Sequence, residues 1–314
     1  MSELSTKYGT LKGITFLETY NNGAIKQCIL EEFNELTTAY GKLVPQYEED
    51  HVRRKYTPSV SFYENGNIKS ISLNSQTKMT TPIGIFEAEK LTFYEDEHLK
   101  RLFPINGKLT GYWTEENEYT LARDYDFTFD FGEIKCKIIS LKFYKSQKIK
   151  SITLWPKEEV IIPLDGSKRR IRTGIALYET GEIKSCEPAE PMPIHTPIGT
   201  IIAYDSQAIG IHGDTNSLQF HQDGTLKAIA SSTDKIEIYD EAYNKITYSP
   251  QETVSALNSN RIDVIPLYLV FDSGKVIIND EVAYNIDRHS FVITHYFKKL
   301  IKTCGDCSKC SLCE

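Results

Sequence analysis

The sequence predicts an all-β protein, mainly antiparallel, built as an array of β-hairpins in two related halves. Three observations carry this. First, one pattern recurs along the chain: VSFYENGNIKSISL at 60–73 has near-copies at 17–30 (LETYNNGAIKQCIL), 91–104 (LTFYEDEHLKRLFP), 141–154 (LKFYKSQKIKSITL), 175–188 (IALYETGEIKSCEP) and 218–231 (LQFHQDGTLKAIAS). Weaker versions stand at 126–139 and 268–277. Second, Tyr63 and Tyr178 are each followed, at the same distance, by Thr-Pro-Ile-Gly (Thr81–Gly84 and Thr196–Gly199), and then by another copy of the pattern. Third, hydrophobic content is only 40%, but 19 Tyr and 14 Phe supply large rings that bury much area per residue.

Each copy reads as one hairpin. Asn22-Gly23, Asn65-Gly66 and Asp223-Gly224 accept the positive φ that a tight turn demands, and β-branched and aromatic residues flank them. An isolated hairpin is marginal in water, so each must bury a face against its neighbour. Glu97 and Gln147 stand where other copies have the turn glycine. The doubled block divides the chain into a first half over 1–160, a second over 161–302 and a tail over 303–314.

Taken in order, residues 8–30 open the array. Residues 29–47 are ambiguous: ILEEFNEL has helical character, whereas Tyr40-Gly41-Lys42-Leu43 reads as a turn into a strand. The basic runs Arg53-Arg54-Lys55 and Lys168-Arg169-Arg170 read as solvated loops. Pro58 and Pro266 fit strand entries or edges, where a missing N–H is tolerated. Residues 102–113 suggest a further hairpin with Asn106-Gly107 at its turn. Asp124, Asp126 and Asp130 lie close together but lack the spacing of a calcium loop, so they read as a solvated acidic stretch. The proline-rich 187–197 reads as an extended connector. Ser249-Pro250-Gln251-Glu252 resembles a helix start, with Ser as cap and Pro at the first helical position, and predicts a short helix over 250–258. Residues 291–301 carry helical spacing with a β-branched start and fit either a helix or a strand.

The repeated Tyr-Glu-Asn-Gly-Asn-Ile-Lys-Ser core resembles the MORN-repeat variant of bacterial antitoxin-like proteins. That resemblance implies a hairpin array with a binding or scaffolding role and no catalytic site. The separations between copies here are longer than in usual MORN arrays.

The densest chemistry lies at the C-terminus, where Cys304, Cys307, Cys310 and Cys313 follow one another at CxxC spacing. Four such thiolates suit a tetrahedral zinc site or an iron–sulfur cluster, and the run partly resembles a ferredoxin-type cysteine motif. They are candidate metal ligands, for a 4Fe–4S cluster first and zinc second, against a redox-active or disulfide-bonded tail. Cys28 and Cys186 occupy the repeat position held elsewhere by Ile71, Leu102, Ile152 and Ile229, and read as small buried hydrophobes. Thr-Pro-Ile-Gly-Thr at 196–200 with His212 resembles the opening of an L,D-transpeptidase signature, but no Ser-His-Gly-Cys segment follows.

A net charge of −7 argues against broad nucleic-acid binding and adhesion to anionic lipid. The N-terminus has no apolar signal region, no stretch reaches membrane-span length, and a cytoplasmic location is expected. No phosphate loop, dinucleotide fingerprint, nucleophile elbow or zinc-protease motif is present, so the reading leans away from an enzyme. The expected function is a protein-interaction or scaffold module with a metal-binding tail, with an iron–sulfur electron-transfer or redox accessory protein as the alternative.

Overall fold

The computed structural model describes residues 3–49, 52–54, 57–164, 166–208, 216–254 and 262–295. The described chain is all-β and mainly antiparallel, with one short helix. It divides into two compact units, one of residues 1–190 and 208–227, the other of 191–207 and 228–314.

In the first unit the repeated pattern folds as hairpins: Ile14–Thr19 with Ile25–Leu30, Val60–Phe62 with Ile68–Thr81, Gly84–Phe93 with Leu99–Phe103, Gly132–Phe143 with Ile149–Leu154, and Ser167–Leu177 with Ile183–Pro188. Successive hairpins pair in one constant register. Gln27 faces Ser61, Ser70 faces Thr92, Arg101 faces Lys142, Ser151 faces Ala176, and Ser185 faces Gln219. The next residue of each strand is apolar and buried: Cys28 meets Val60, Ile71 meets Leu91, Leu102 meets Leu141, Ile152 meets Ile175, and Cys186 meets Leu218. Burying such side chains is worth roughly 1.5–3 kcal/mol each for the larger ones, which fixes the register because a one-residue slip would expose the whole set.

The turns repeat as closely as the strands. At Tyr63 the amide donates to Asn67 O and the carbonyl accepts from Gly66 N. The same pair of bonds closes the turns at Tyr20, Tyr94, Tyr144, Tyr178 and His221. This is a three-residue loop ending in a left-handed residue that forms a bulge. Gly66 has φ +82 there, and Glu97 and Gln147 take φ 69 and 66 without the freedom of glycine. Each turn tyrosine then fastens to the next hairpin. Tyr20 Oη donates to Phe62 O at 2.9 Å, and Tyr63, Tyr94, Tyr144 and Tyr178 donate at 2.8 Å to Phe93, Phe143, Leu177 and Phe220 O.

A second turn type alternates with the first. Thr81 and Gly84 close a two-residue loop, with Thr81 Oγ1 donating to Gly84 O at 2.8 Å. Thr6–Gly9 and Thr38–Gly41 close in the same way, although only the Thr-Pro-Ile-Gly copies stand out in the sequence.

The predicted helix at 250–258 is corrected. Gln251–Val254 is a strand paired with Ile262–Ile265, and the intervening residues lie outside the described part. Pairing of β-branched Thr253 and Val254 with that strand overrides the local capping signal. The helix lies instead at Glu115–Leu121, where Thr114 and Asn117 form a capping box. The hairpin expected over 102–113 is absent: a strand ends at Phe103, and Asn106 N and Gly107 N donate to the carboxylates of Glu89 and Glu118.

In the second unit, Asp234–Tyr239 lies between Lys245–Tyr248 and Ser290–His295, so the 291–301 stretch begins as a strand. Residues 228–231 pair with 267–270, which continue into Lys275–Ile278 and Val282–Asn285. Met192–Thr196 and Gly199–Ala203 form a hairpin out of the proline-rich stretch.

Candidate functional site

The repeat sets a row of cations on the hairpins. Six residues after the turn aromatic stands a lysine, and its ammonium lies over that ring: Lys69 over Tyr63 at 5.7 Å, Lys100 over Tyr94 at 5.5 Å and Lys150 over Tyr144 at 5.5 Å. The geometry follows from the bulged turn, which brings the sixth residue back beside the ring, and the ring quadrupole holds the charge.

Between Tyr63 and Lys142, Lys69 and Lys100 meet other cations in a groove of about 410 Å³. Lys69, Lys90, Lys100, Arg101 and Lys142 line it together with Phe103, and no carboxylate is among the described lining residues. Lys90 and Arg101 both lie over the Phe103 ring, at 5.9 and 5.0 Å. Arg101 Nε donates to Ser140 Oγ at 3.0 Å, which fixes its fork. Burial pushes the Lys90 ammonium below its ordinary value of 10.5. Five cations sharing a groove in an acidic protein raise the local potential toward anions.

The run Arg53-Arg54 is corrected from a solvated loop. Both side chains are buried, at 8% and 5% exposure. Arg53 makes two hydrogen bonds to Glu89 and two to Glu118, all of 2.7–2.9 Å. Burial opposes the Glu118 carboxylate's charge, yet Arg53 and the Trp113 indole N–H hold it below the ordinary glutamate value of 4.5. Gly107 N completes its shell at 2.6 Å. This satisfied cluster ties the helix and the 104–113 segment to the hairpins; its atoms are engaged with one another. The other run, Lys168-Arg169-Arg170, is exposed or half-buried, but on the strand Ser167–Leu177 rather than in a loop.

The metal expectation is corrected as well. Among the described residues no group of three or more His, Cys, Asp or Glu could hold a metal ion. Cys304, Cys307, Cys310 and Cys313 lie outside the described residues, as does His212. The function built on a zinc or iron–sulfur centre, and the redox alternative with it, finds no support among the described residues. Asp124, Asp126 and Asp130 are exposed, as expected of a solvated face. Cys28, Cys136 and Cys186 are buried, and burial pushes the Cys28 and Cys136 thiols up to about 12.

In the second unit the fully buried Asp234 accepts Ile202 N at 2.6 Å and meets His295 Nδ1 at 2.7 Å. Such a pair orients an imidazole, but among the described residues no hydroxyl or thiol is hydrogen-bonded to that ring, and it reads as structural.

The groove was latent in the sequence as the repeated lysine. The contributions of Lys90 and Lys142 come from the register between hairpins, which spacing within one copy does not show. No helix is long and apolar enough to cross a membrane among the described residues. No protein-family model matches the chain, and neither a curated protein nor a solved structure is found similar to it.

Proposed function

We propose that the chain is a MORN-like hairpin array in two related halves that acts by binding, and that its basic groove takes an acidic peptide segment. One observation carries the reading: Lys69, Lys90, Lys100, Arg101 and Lys142 converge on one groove whose described lining residues include no carboxylate, in a chain of net charge −7. Like charges gathered in one groove raise the local potential toward an anionic ligand.

The ring chemistry favours carboxylates over nucleic acid. Binding of single strands uses open aromatic faces on which bases stack. Here Tyr63 and Phe103 already carry Lys69, Lys90 and Arg101 over their rings. The acidic remainder of the surface also disfavours a long polyanion, whereas a short acidic segment needs only the groove.

The test is fluorescence anisotropy with a labelled hexaglutamate peptide at low salt, beside a labelled oligothymidylate and a labelled neutral hexaglutamine peptide. Hexaglutamate should bind, weaken steeply with added salt, and lose at least about tenfold in affinity in the Lys100→Gln, Lys142→Gln variant. Equal binding by that variant, or tighter binding of the oligonucleotide, would overturn the assignment.

A further inference from the structure

A second repeated contact lies on the turn row, independent of the basic groove. In the Tyr63 hairpin Phe62 pairs with Ile68, and the Ile68 amide donates to the Tyr8 hydroxyl at 3.0 Å. That hydroxyl donates in turn to Glu97 Oε1 at 2.6 Å. One hairpin further on, the Leu99 amide donates to Tyr40 Oη at 2.7 Å, and Tyr40 donates to Gln147 Oε1 at 3.1 Å. Gln147 also donates to Leu99 O at 3.1 Å. Tyr8 and Tyr40 each occupy the third position of a Thr-x-Tyr-Gly two-residue turn. The molecule thus fills two equivalent sockets with the same object, a tyrosine at the tip of a tight turn.

Each socket has three fixed parts. They are the residue five after the turn aromatic, the residue before the next turn aromatic, and the left-handed residue of that next turn. For Tyr8 these are Ile68, Phe93 and Glu97, which line one cavity with it. The same three parts occur at both ends of the row. Ile25, Phe62 and Gly66 line a cavity of about 420 Å³, and Ile183, Phe220 and Gly224 line one of about 450 Å³. The register places Ile25 opposite Thr19 and Ile183 opposite Leu177, as Ile68 stands opposite Phe62. In the two end sockets the left-handed position is glycine, and a Cβ on Gly66 or Gly224 would meet nothing within 4 Å among the described residues. The position between them, at Gly181, is approached by Asp130 Oδ2, 3.7 Å from where its Cβ would stand.

We propose that the two end sockets bind the tyrosine of a tight turn presented by a partner protein, in the manner of Tyr8 and Tyr40. The ring would lie against Phe62 or Phe220, with its hydroxyl accepting the Ile25 or Ile183 amide. Volumes of this size fall in the range of small-ligand pockets and suit a phenol on its turn. The filled sockets supply the occupant's identity, since they show what this backbone arrangement holds when a turn is at hand.

The experiment uses the full-length protein and a cyclised hairpin peptide carrying residues 4–11, followed by amide NMR. Titration should shift the Ile25 and Ile183 amides, and the same peptide with Phe for Tyr should bind about fivefold more weakly for the loss of one hydrogen bond. Shifts confined to Ile68 would mean that the peptide displaces the protein's own Tyr8 turn, and would overturn the proposal. Equal binding of the Phe peptide, or no shift at either end socket, would do so too. Sedimentation of the protein alone tests the other occupant, a second copy. Tyr243 is 86% exposed at a hairpin tip with φ 61, so concentration-dependent association that vanishes in Tyr243→Gly would replace the partner with a second molecule.

Discussion

Two basic runs of near-identical composition meet opposite fates in the first unit. Arg53-Arg54 is buried, with Arg53 held between Glu89 and Glu118. In the other run, Arg170 lies on an open strand with more than half its side chain in water, reaching Glu159 and Glu190. Nothing local distinguishes the two. What differs is distant chain: Glu89 on the strand Gly84–Phe93 and Glu118 on the helix arrive at Arg53. A charge run is solvated by default, and only counter-charges brought in by the fold reverse that.

The comparison is broken most directly by Arg53→Met. Removing one member of a buried ionic cluster leaves two carboxylates without their guanidinium and should cost about 3–5 kcal/mol, read from the urea midpoint. A cost below that of an ordinary surface change would show that the cluster is wet and that the two runs are alike.

Acid should act on the same cluster. Glu118 ionises more readily in the folded chain than in the unfolded one, so the unfolded chain takes up its proton first. Its contribution is full above about 4.5 and is lost as pH falls through the lower folded value. Urea midpoints from pH 6 to 3 should decline more steeply in wild type than in Glu118→Gln, which has lost that carboxylate already.

The turn row gives a smaller effect. A Cβ on Gly66 meets no atom of the described residues within 4 Å, so the cost of Gly66→Val is mainly the left-handed backbone, about 1–2 kcal/mol. An unchanged midpoint would sink the bulged-turn account. Glu97→Gly sharpens it: the backbone relaxes while Tyr8 loses its acceptor, so the midpoint should move little although the Tyr8 turn loosens in hydrogen exchange. Smallest of all, Arg170→Gln should leave the midpoint within measurement scatter.

The hairpins were legible because one copy carries its own instructions: an aromatic, two polar residues, a left-handed position, an apolar residue and a lysine. Glu97 and Gln147 did not hide their copies, since neighbouring residues kept the pattern. The Thr-x-x-Gly turns were half legible: Thr81 and Thr196 stand out through the shared Pro-Ile, whereas Thr6 and Thr38 have Lys-Tyr and Ala-Tyr between. The helix at Glu115–Leu121 was missed because its Thr114–Asn117 cap is weaker in appearance than Ser249-Pro250, which sits instead at a strand entry. The basic groove and the tyrosine sockets were illegible for a common reason. Both are made between copies, by a register that becomes visible only when the hairpins are laid side by side.

The buried thiols give the molecule internal clocks. Cys28 is packed where the Tyr20 hairpin meets the Tyr63 hairpin, and Cys136 lies on the strand opposite Tyr125. With both thiols near 12, on the order of one in ten thousand would be thiolate at pH 8. An alkylating reagent would therefore mark each sulfur at the moment its own strands part. Peptide mass mapping over time would give two separate opening rates: equal rates would mean that the array comes apart as one body, and unequal rates would name the end that frays first.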